Sequence, residues 1–400
     1  MNAVGIDVSK GISTVAVIRP FGEIIKMPFD VIHTQEELKK LAKLILSFDG
    51  ETRVIMENTG KYHQPIANAL VKAGVFVSVI NAKLAHDYGG DTIRRAKTDK
   101  IDSLKIAAYC LDKWVKLEPY EPEDEIRKTL KTYNHQLAEY NKLKLMLKNN
   151  LISLLDQVFL EANELFTSPA RESDGHEKWI DFALEFWHCE CISGLNENVF
   201  TVRYHKWCSK NKYQFSSEKA QLIYATATKS PSTLPKNEFI KTLMQQAILQ
   251  LNSLCQTIAI LKKEMNKIAS QLPEYATVLA MHGVGNTLAP QLIAEIGDVR
   301  RFEKRTSISC FAGIEPPENQ SGKYEQKSRH ISKQGSPHLR RALFCVMMAV
   351  LQNKSTDEPT FQFLDRKRAE GKPYKVYMIA GANKFLRIYY SRVTQCLGTL

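Results

Sequence analysis

Four hundred residues, 44% hydrophobic and 9% aromatic, exceed what one compact core holds and carry enough apolar material for two or more. Lysine and arginine outnumber aspartate and glutamate by 55 to 43, a net charge of +12, which makes a polyanionic partner the first expectation. No run approaches the roughly 18 apolar residues of a membrane span, which argues against an integral membrane protein.

The start, Met1-Asn2-Ala3-Val4-Gly5, leads straight into a strand-like run without a basic, then apolar, leader. The eight cysteines (Cys110, Cys189, Cys191, Cys208, Cys255, Cys310, Cys345 and Cys396) are scattered. Both features predict reduced thiols and a cytoplasmic location.

The first hundred residues alternate strand and helix patterns. AVGIDVS, ISTVAVIRP and GEIIKMPF read as a three-strand meander. A helix is predicted from about Thr34 to Leu46, then a strand TRVIME, a helix opening near Thr59-Gly60, a strand VFVSVIN and a helix from about Thr98. Three antiparallel strands followed by β-α-β-α are expected of a ribonuclease-H-like domain, here residues 1–118. Other α/β arrangements share this pattern.

The middle is helical. Ile126, Leu130, Tyr133, Leu137, Tyr140, Lys144, Leu147, Leu151, Leu154 and Val158 keep a four-three spacing that only Lys144 breaks. A second series runs Ile240, Met244, Ala247, Leu251, Leu254, Ile258, Leu261, Met265 and Ile268. Heptads this long predict coiled-coil helices over 119–160 and 236–270, paired with each other or across a homo-oligomer; an ordinary long bundle would also satisfy them. The aromatic stretch between them, 161–235, shows no period and reads as an inserted segment. The last part, 271–400, is predicted to be a mostly helical C-terminal domain.

Asp7 ends the first strand pattern and Glu57 ends the fourth. Asp99 and Asp102 lie three apart, hence on one face of the helix that Thr98 can cap. Strand-end carboxylates with a helix-borne pair suit a two-metal phosphoryl-transfer site. Their oxygens favour Mg²⁺ (or Mn²⁺), and paired ions can activate the attacking oxygen and stabilise the leaving one. Arg94, Arg95, Lys97 and Lys100 surround the pair and would draw in a phosphate backbone. A solvated, merely soluble helix would carry the same residues.

In LAMHGVGNTLAPQLIAEIGDVRRF, residues 279–302, Gly283-Val284-Gly285 reads as the turn of a helix-hairpin-helix over about 277–297 whose amides could face a phosphate. A plain glycine-rich helical turn reads equally well. The basic stretch 319–341 contains Ser321-Gly322 at a turn, and no nearby group supplies the base that a serine nucleophile needs. Lys323, Arg329, Lys333 and Arg340 are candidate nucleic-acid contacts. Cys189, Cys191, His205 and Cys208 could hold zinc, though the spacing matches no standard finger and packed thiols fit the aromatic surroundings better.

GIDVSK, MENTGKYHQPIANAL, VINAKLAH and RRAKTDKIDSLKIA resemble the RuvC-like domain of the DEDD transposases, an insertion-sequence family that includes the Piv-type DNA invertases. Family members usually carry a small residue where Asn58 stands and often a proline where Ala82 stands; neither difference touches a carboxylate. The resemblance implies that Asp7, Glu57, Asp99 and Asp102 are the catalytic, metal-holding acids. Ser321-Gly322-Lys323 and Ile331-Ser332-Lys333-Gln334-Gly335 through Leu339-Arg340 resemble the second, transposase domain of the same family. In its bridge-RNA-guided members the serine of this motif attacks the DNA phosphate, which implies that role for Ser321 ahead of Ser328, Ser332 and Ser336. The implied partners are donor and target DNA and an element-encoded RNA. Two alternatives stay open: a junction-resolvase-like nuclease that does not use Ser321, and a non-enzymatic nucleic-acid scaffold.

Overall fold

The structure, a computed structural model, describes residues 1–88, 98–171, 173–317, 320–321, 324–325 and 330–398. It forms two compact units, Met1–Glu123 and Asp124–Leu400. Among the described residues no helix is long and apolar enough to cross a membrane.

The first unit is built on five strands: β1 (Asn2–Val8), β2 (Ile12–Ile18), β3 (Ile24–Ile32), β4 (Thr52–Glu57) and β5 (Phe76–Ile80). Their order is β3-β2-β1-β4-β5. β1 to β3 form the antiparallel meander, while β1, β4 and β5 run parallel, as a ribonuclease-H-like sheet requires. Alternation along the strands sends Val4, Ile6, Val8, Val54 and Met56 to one face. There they meet Leu38, Leu41 and Ile45 of α1 (Gln35–Leu46) and Ile66 and Leu70 of α2 (His63–Lys72). Burying each such side chain stabilises the fold by roughly 1.5–3 kcal/mol.

α1 starts where expected, its first turn capped by Thr34, whose hydroxyl accepts from the Glu37 amide at 3.3 Å. α2 starts beyond its expected opening, because Gly60 takes φ 54° and turns the chain first. The opposite sheet face presents Ala3, Ile18 and Ile55 to α4 (Asp99–Asp112), which buries Ile106, Ala107 and Cys110 against them. No pattern of residues marked α3 (Ala82–Tyr88), which Asn81 begins by accepting from the Lys83 amide at 2.9 Å.

Among its described residues the second unit is helical apart from one small hairpin. α5 (Glu125–Val158) comes first, followed by α6 (Lys178–Glu185), α7 (Glu190–Ser193), α8 (Glu197–Lys210) and α9 (Ser217–Lys229). Next are α10 (Glu238–Ala269), α11 (Tyr275–Leu279), α12 (Leu288–Ile296) and α13 (Ser307–Ala312). The hairpin strands β6 (Gln320–Ser321) and β7 (Tyr324–Glu325) precede α14 (Pro337–Asn353), α15 (Pro359–Ala369) and α16 (Tyr374–Gly398).

α5 and α10 pack along one another within the chain, each roughly 50 Å long at 1.5 Å per residue. Their two ends belong to different cores. Leu130, Leu137, Ile258 and Met265 join α11 to α14 and α16 in one. Leu151, Leu155, Met244, Ile248 and Leu251 join α6, α8 and α9 in the other.

Residues 161–235, which showed no period, are helices around an aromatic centre. Phe182 lies 4.8 Å from Phe186 and 5.6 Å from Trp207, ring centre to ring centre, and Tyr204 stacks on Trp207 at 5.7 Å. Helices buried on several sides lose the polar face that makes a period visible. Lys144, the break in the first heptad series, reaches Glu177 at 3.6 Å, and Lys148 meets the same carboxylate at 2.7 Å.

Candidate active site

The sheet brings the predicted acids to one end. β1 and β4 pair in parallel with Ile6 opposite Met56, so Asp7 and Glu57, the next residues, leave adjacent strands together. Both follow the side-chain alternation of Ala3, Gly5 and Ile55 and therefore stand on the face that α4 covers.

Gly5 decides how close α4 can come. A Cβ there would lie 2.2 Å from the Ser103 carbonyl oxygen and 2.3 Å from the Ala107 amide nitrogen, so only glycine admits this crossing. At the other end of the helix, the Cys110 thiol sits 3.7 Å from the Arg53 carbonyl at the start of β4. Burial pushes that thiol up to about 12, so it stays neutral. α4 thus runs against the strand direction and delivers its first turn, with Asp99 and Asp102, to the strand ends that carry Asp7 and Glu57. Thr98 caps that turn as predicted, its hydroxyl accepting from the Ile101 amide at 3.3 Å. Asp102 is half-buried and has Lys105 at 3.6 Å, while Asp99 is exposed.

The four acids share an end and a face but do not converge. Among the described residues, no three His, Cys, Asp or Glu side chains form a group able to hold a metal ion. An all-oxygen donor set has the chemistry that a hard divalent cation needs. The row also contains a carboxylate that sequence reasoning missed. Thr14 pairs with Asp7 across β1 and β2, Asp30 pairs with Thr14 across β2 and β3, and the Thr14 hydroxyl donates to Asp30 at 2.7 Å. The β2–β3 register shifts around Val17, so the row could not be counted from sequence.

Arg94, Arg95 and Lys97 lie outside the described residues, as do Lys323 and Arg329. Lys100 is exposed on the first turn of α4.

In the second unit, Ser321 closes β6 and pairs with Tyr324 of β7, so the serine belongs to a hairpin strand beside a two-residue connection. Lys333 is exposed and takes φ 55°. Arg340 is half-buried, and its Nη1 donates to the carbonyls of Ala312 at 3.2 Å and Gly335 at 3.0 Å.

The glycine turn at 283–285 joins α11 to α12. Gly283 takes φ 77°, and a Cβ there would lie 2.6 Å from the Val350 side chain of α14, so packing accounts for that glycine. Cys189, Cys191, His205 and Cys208 form no metal-binding group. Burial raises the pKa of all three thiols, which keeps them protonated and apolar.

Comparison with known proteins gives this arrangement its class. Residues 4–160 match a family model described as a transposase of the DEDD type, so the chain is a DNA transposase or recombinase, an enzyme that acts on DNA. Residues 275–362 match a second model, described as transposase of the IS116/IS110/IS902 family. The chain belongs to that family of DEDD transposases.

It is similar to the pilin gene-inverting proteins of Moraxella bovis and Moraxella lacunata, 25% identical over 345 residues in each case. That alignment spans 86% of this chain and 80% of each relative. It is also 26% identical over 170 residues to a probable family 20 transposase of Pseudomonas aeruginosa, covering 42% of this chain and 48% of that protein.

Proposed function

We propose that the protein cuts and rejoins DNA through a covalent serine link, with Asp7, Glu57, Asp99 and Asp102 acting on the scissile phosphate. The observation that carries this reading is the delivery of all four acids to one end and one face of the sheet by the β1–β4 register and the Gly5 crossing. Bound there, Mg²⁺ or Mn²⁺ would neutralise charge on the phosphate oxygens. Ser321 supplies the nucleophile. Its Oγ forms a bond to phosphorus while the bond from phosphorus to the leaving deoxyribose oxygen breaks; the serine proton goes to solvent, and the leaving oxygen takes one up. One phosphoester replaces another, so the link retains the energy needed for rejoining to a different strand.

In this reading residues 1–118 form the acid-bearing domain and 271–400 the serine-bearing domain. The helices of 119–160 and 236–270 form coiled-coil arms with the 161–235 segment inserted between them, and the arms support a homo-oligomer. The glycine hairpin at 277–297 and the basic residues Arg94, Arg95, Lys97, Lys323, Arg329 and Lys333 would hold nucleic-acid backbones. The motif resemblance around Ser321 supports guidance by an RNA encoded beside the gene, and the enzyme would work in the cytoplasm. The similarity to pilin gene-inverting proteins favours a second reading, in which the same chemistry inverts DNA that the protein recognises by itself.

The test is to purify the protein from its native host and sequence the nucleic acid that survives a high-salt wash. A single RNA transcribed from beside its own gene is the expected result. A random mixture, or none, leaves the inversion reading. Asp102→Asn should slow strand cleavage of a plasmid carrying the flanking genomic DNA by roughly a thousandfold; near-normal cleavage would remove the acids from the mechanism.

A further inference from the structure

The loop that carries Ser321 leaves the fold after α13 and returns at α14, and its two ends are fastened together. The Lys333 amide donates to the Gly313 carbonyl at 3.0 Å, and the Ser332 amide to the Glu315 carbonyl at 3.1 Å. Gly335 is pressed so closely on the end of α13 that a Cβ would lie 2.2 Å from the Phe311 carbonyl oxygen. Gly313 takes φ 66°, and a Cβ there would lie 2.9 Å from the Gln334 amide nitrogen. Arg340 spans this neck, giving one nitrogen to the Ala312 carbonyl on the outgoing side and the Gly335 carbonyl on the returning side.

The neck is tied in turn to the interior. Ser336, which caps α14 by accepting from the Leu339 amide at 3.1 Å, donates to Glu295 of α12. Glu295 is 2% exposed. It also receives Asn134 at 2.7 Å, and His135 of α5 lies 3.1 Å from the same carboxylate oxygen. A buried carboxylate with three partners is a rigid anchor, because leaving any partner unmet in a low-dielectric interior is costly.

We infer that Glu295 and Arg340 are positioning residues that hold shut the neck of the Ser321 loop, an assignment that rests on the serine reading proposed above. Arg340 serves here by bridging two carbonyls across the neck, in place of the phosphate contact that its motif and charge suggested. Neither residue touches DNA in this role. They fix the ends of a loop whose tip must meet the phosphate in line, where a misplacement of about 1 Å costs on the order of a hundredfold in rate.

The experiment compares Arg340→Lys and Glu295→Gln with the wild type in the full-length protein. Hydrogen exchange is read at the Ser332 and Lys333 amides, covalent adduct formation on a supercoiled plasmid carrying the flanking genomic DNA, and binding of a random-sequence duplex across a salt series. Both variants should speed exchange at the two amides about tenfold or more and slow adduct formation on the order of a hundredfold. Duplex affinity and its salt slope should stay at wild-type values.

Unchanged exchange would overturn the inference. So would weaker duplex binding with a shallower salt slope in a charge-removing Arg340→Gln variant, which would make the guanidinium a backbone contact. If a variant fails to fold, Ser336→Ala removes only the hydroxyl between Glu295 and the neck and must give the same pattern. Full cleavage by Ser321→Ala would sink the serine reading while leaving the exchange result intact, so the two failures are distinguishable.

Discussion

In the first unit, Asp7 and Glu57 stand at the ends of laddered strands, and α4 is seated against them through a glycine that admits no other side chain. In the second, Ser321 lies in a two-residue strand on a loop held by four backbone and side-chain ties at its neck. The acids are placed by a regular lattice, where moving one residue means moving a whole sheet. The serine is placed by a clasp, which local changes can loosen without disturbing either core. In the reading proposed above, this difference would keep the charge-neutralising acids fixed and put the serine nucleophile on the more adjustable part.

The largest expected effects fall on the lattice. Asp7→Asn, Glu57→Gln or Asp102→Asn should each slow strand cleavage by roughly a thousandfold, about 4 kcal/mol of transition-state stabilisation. Duplex binding should be preserved; near-normal cleavage by any of them would show that the acids are structural.

Gly5→Ala comes next, since its Cβ must push α4 off β1. Overpacking of this kind costs about 1–3 kcal/mol of stability, and cleavage should fall with it because Asp99 and Asp102 ride on the displaced helix. Calorimetry with a cleavage assay on the same sample checks both. A stable, active Gly5→Ala would break the claim that the crossing sets the site.

The clasp should respond to acid. Burial works to raise the Glu295 carboxyl, but the hydrogen bonds from His135, Ser336 and Asn134 outweigh it and hold it below its ordinary 4.5. His338 of α14 stacks on His135 at 4.4 Å between ring centres, and burial holds it below its ordinary 6.5. In both cases the unfolded chain binds protons first, so stability rises with pH. The second unit should begin to lose stability below about 6.5 as unfolded His338 takes up its proton, with a further loss below 4.5 as Glu295 does. Glu295→Gln should erase the lower step, as urea titrations at several pH values can determine.

The smallest expected effect is that of Thr98→Ala, which removes the cap of α4 and costs about 1 kcal/mol. Cleavage should drop only severalfold, because Gly5 and the apolar seat of the helix remain.

Much of the lattice was legible in the sequence. Strand alternation, the positions of Asp7 and Glu57 at strand ends, the Thr98 cap and the Asp99–Asp102 spacing are local patterns. The two heptad series are too, and α5 and α10 follow them. Gly5 was not legible, because its meaning comes from a helix a hundred residues later. Asp30 was hidden by an irregular strand register. The 161–235 helices were hidden because aromatic residues bury them on more than one side. Arg340 was legible only in part: a charged residue in a basic run reads as a phosphate contact, and only the fold shows that its Nη1 donates to two carbonyls.

One measurement tests the joint action of the acids and the serine most directly. The protein is incubated with Mg²⁺ and a supercoiled plasmid carrying the flanking genomic DNA, digested with nuclease and protease, and searched by mass spectrometry for a peptide bearing a nucleotide remnant. The account predicts the remnant on Ser321 in the wild type and on no residue in Asp102→Asn. A remnant on another residue, or cleaved DNA with no protein-linked nucleotide, would contradict it.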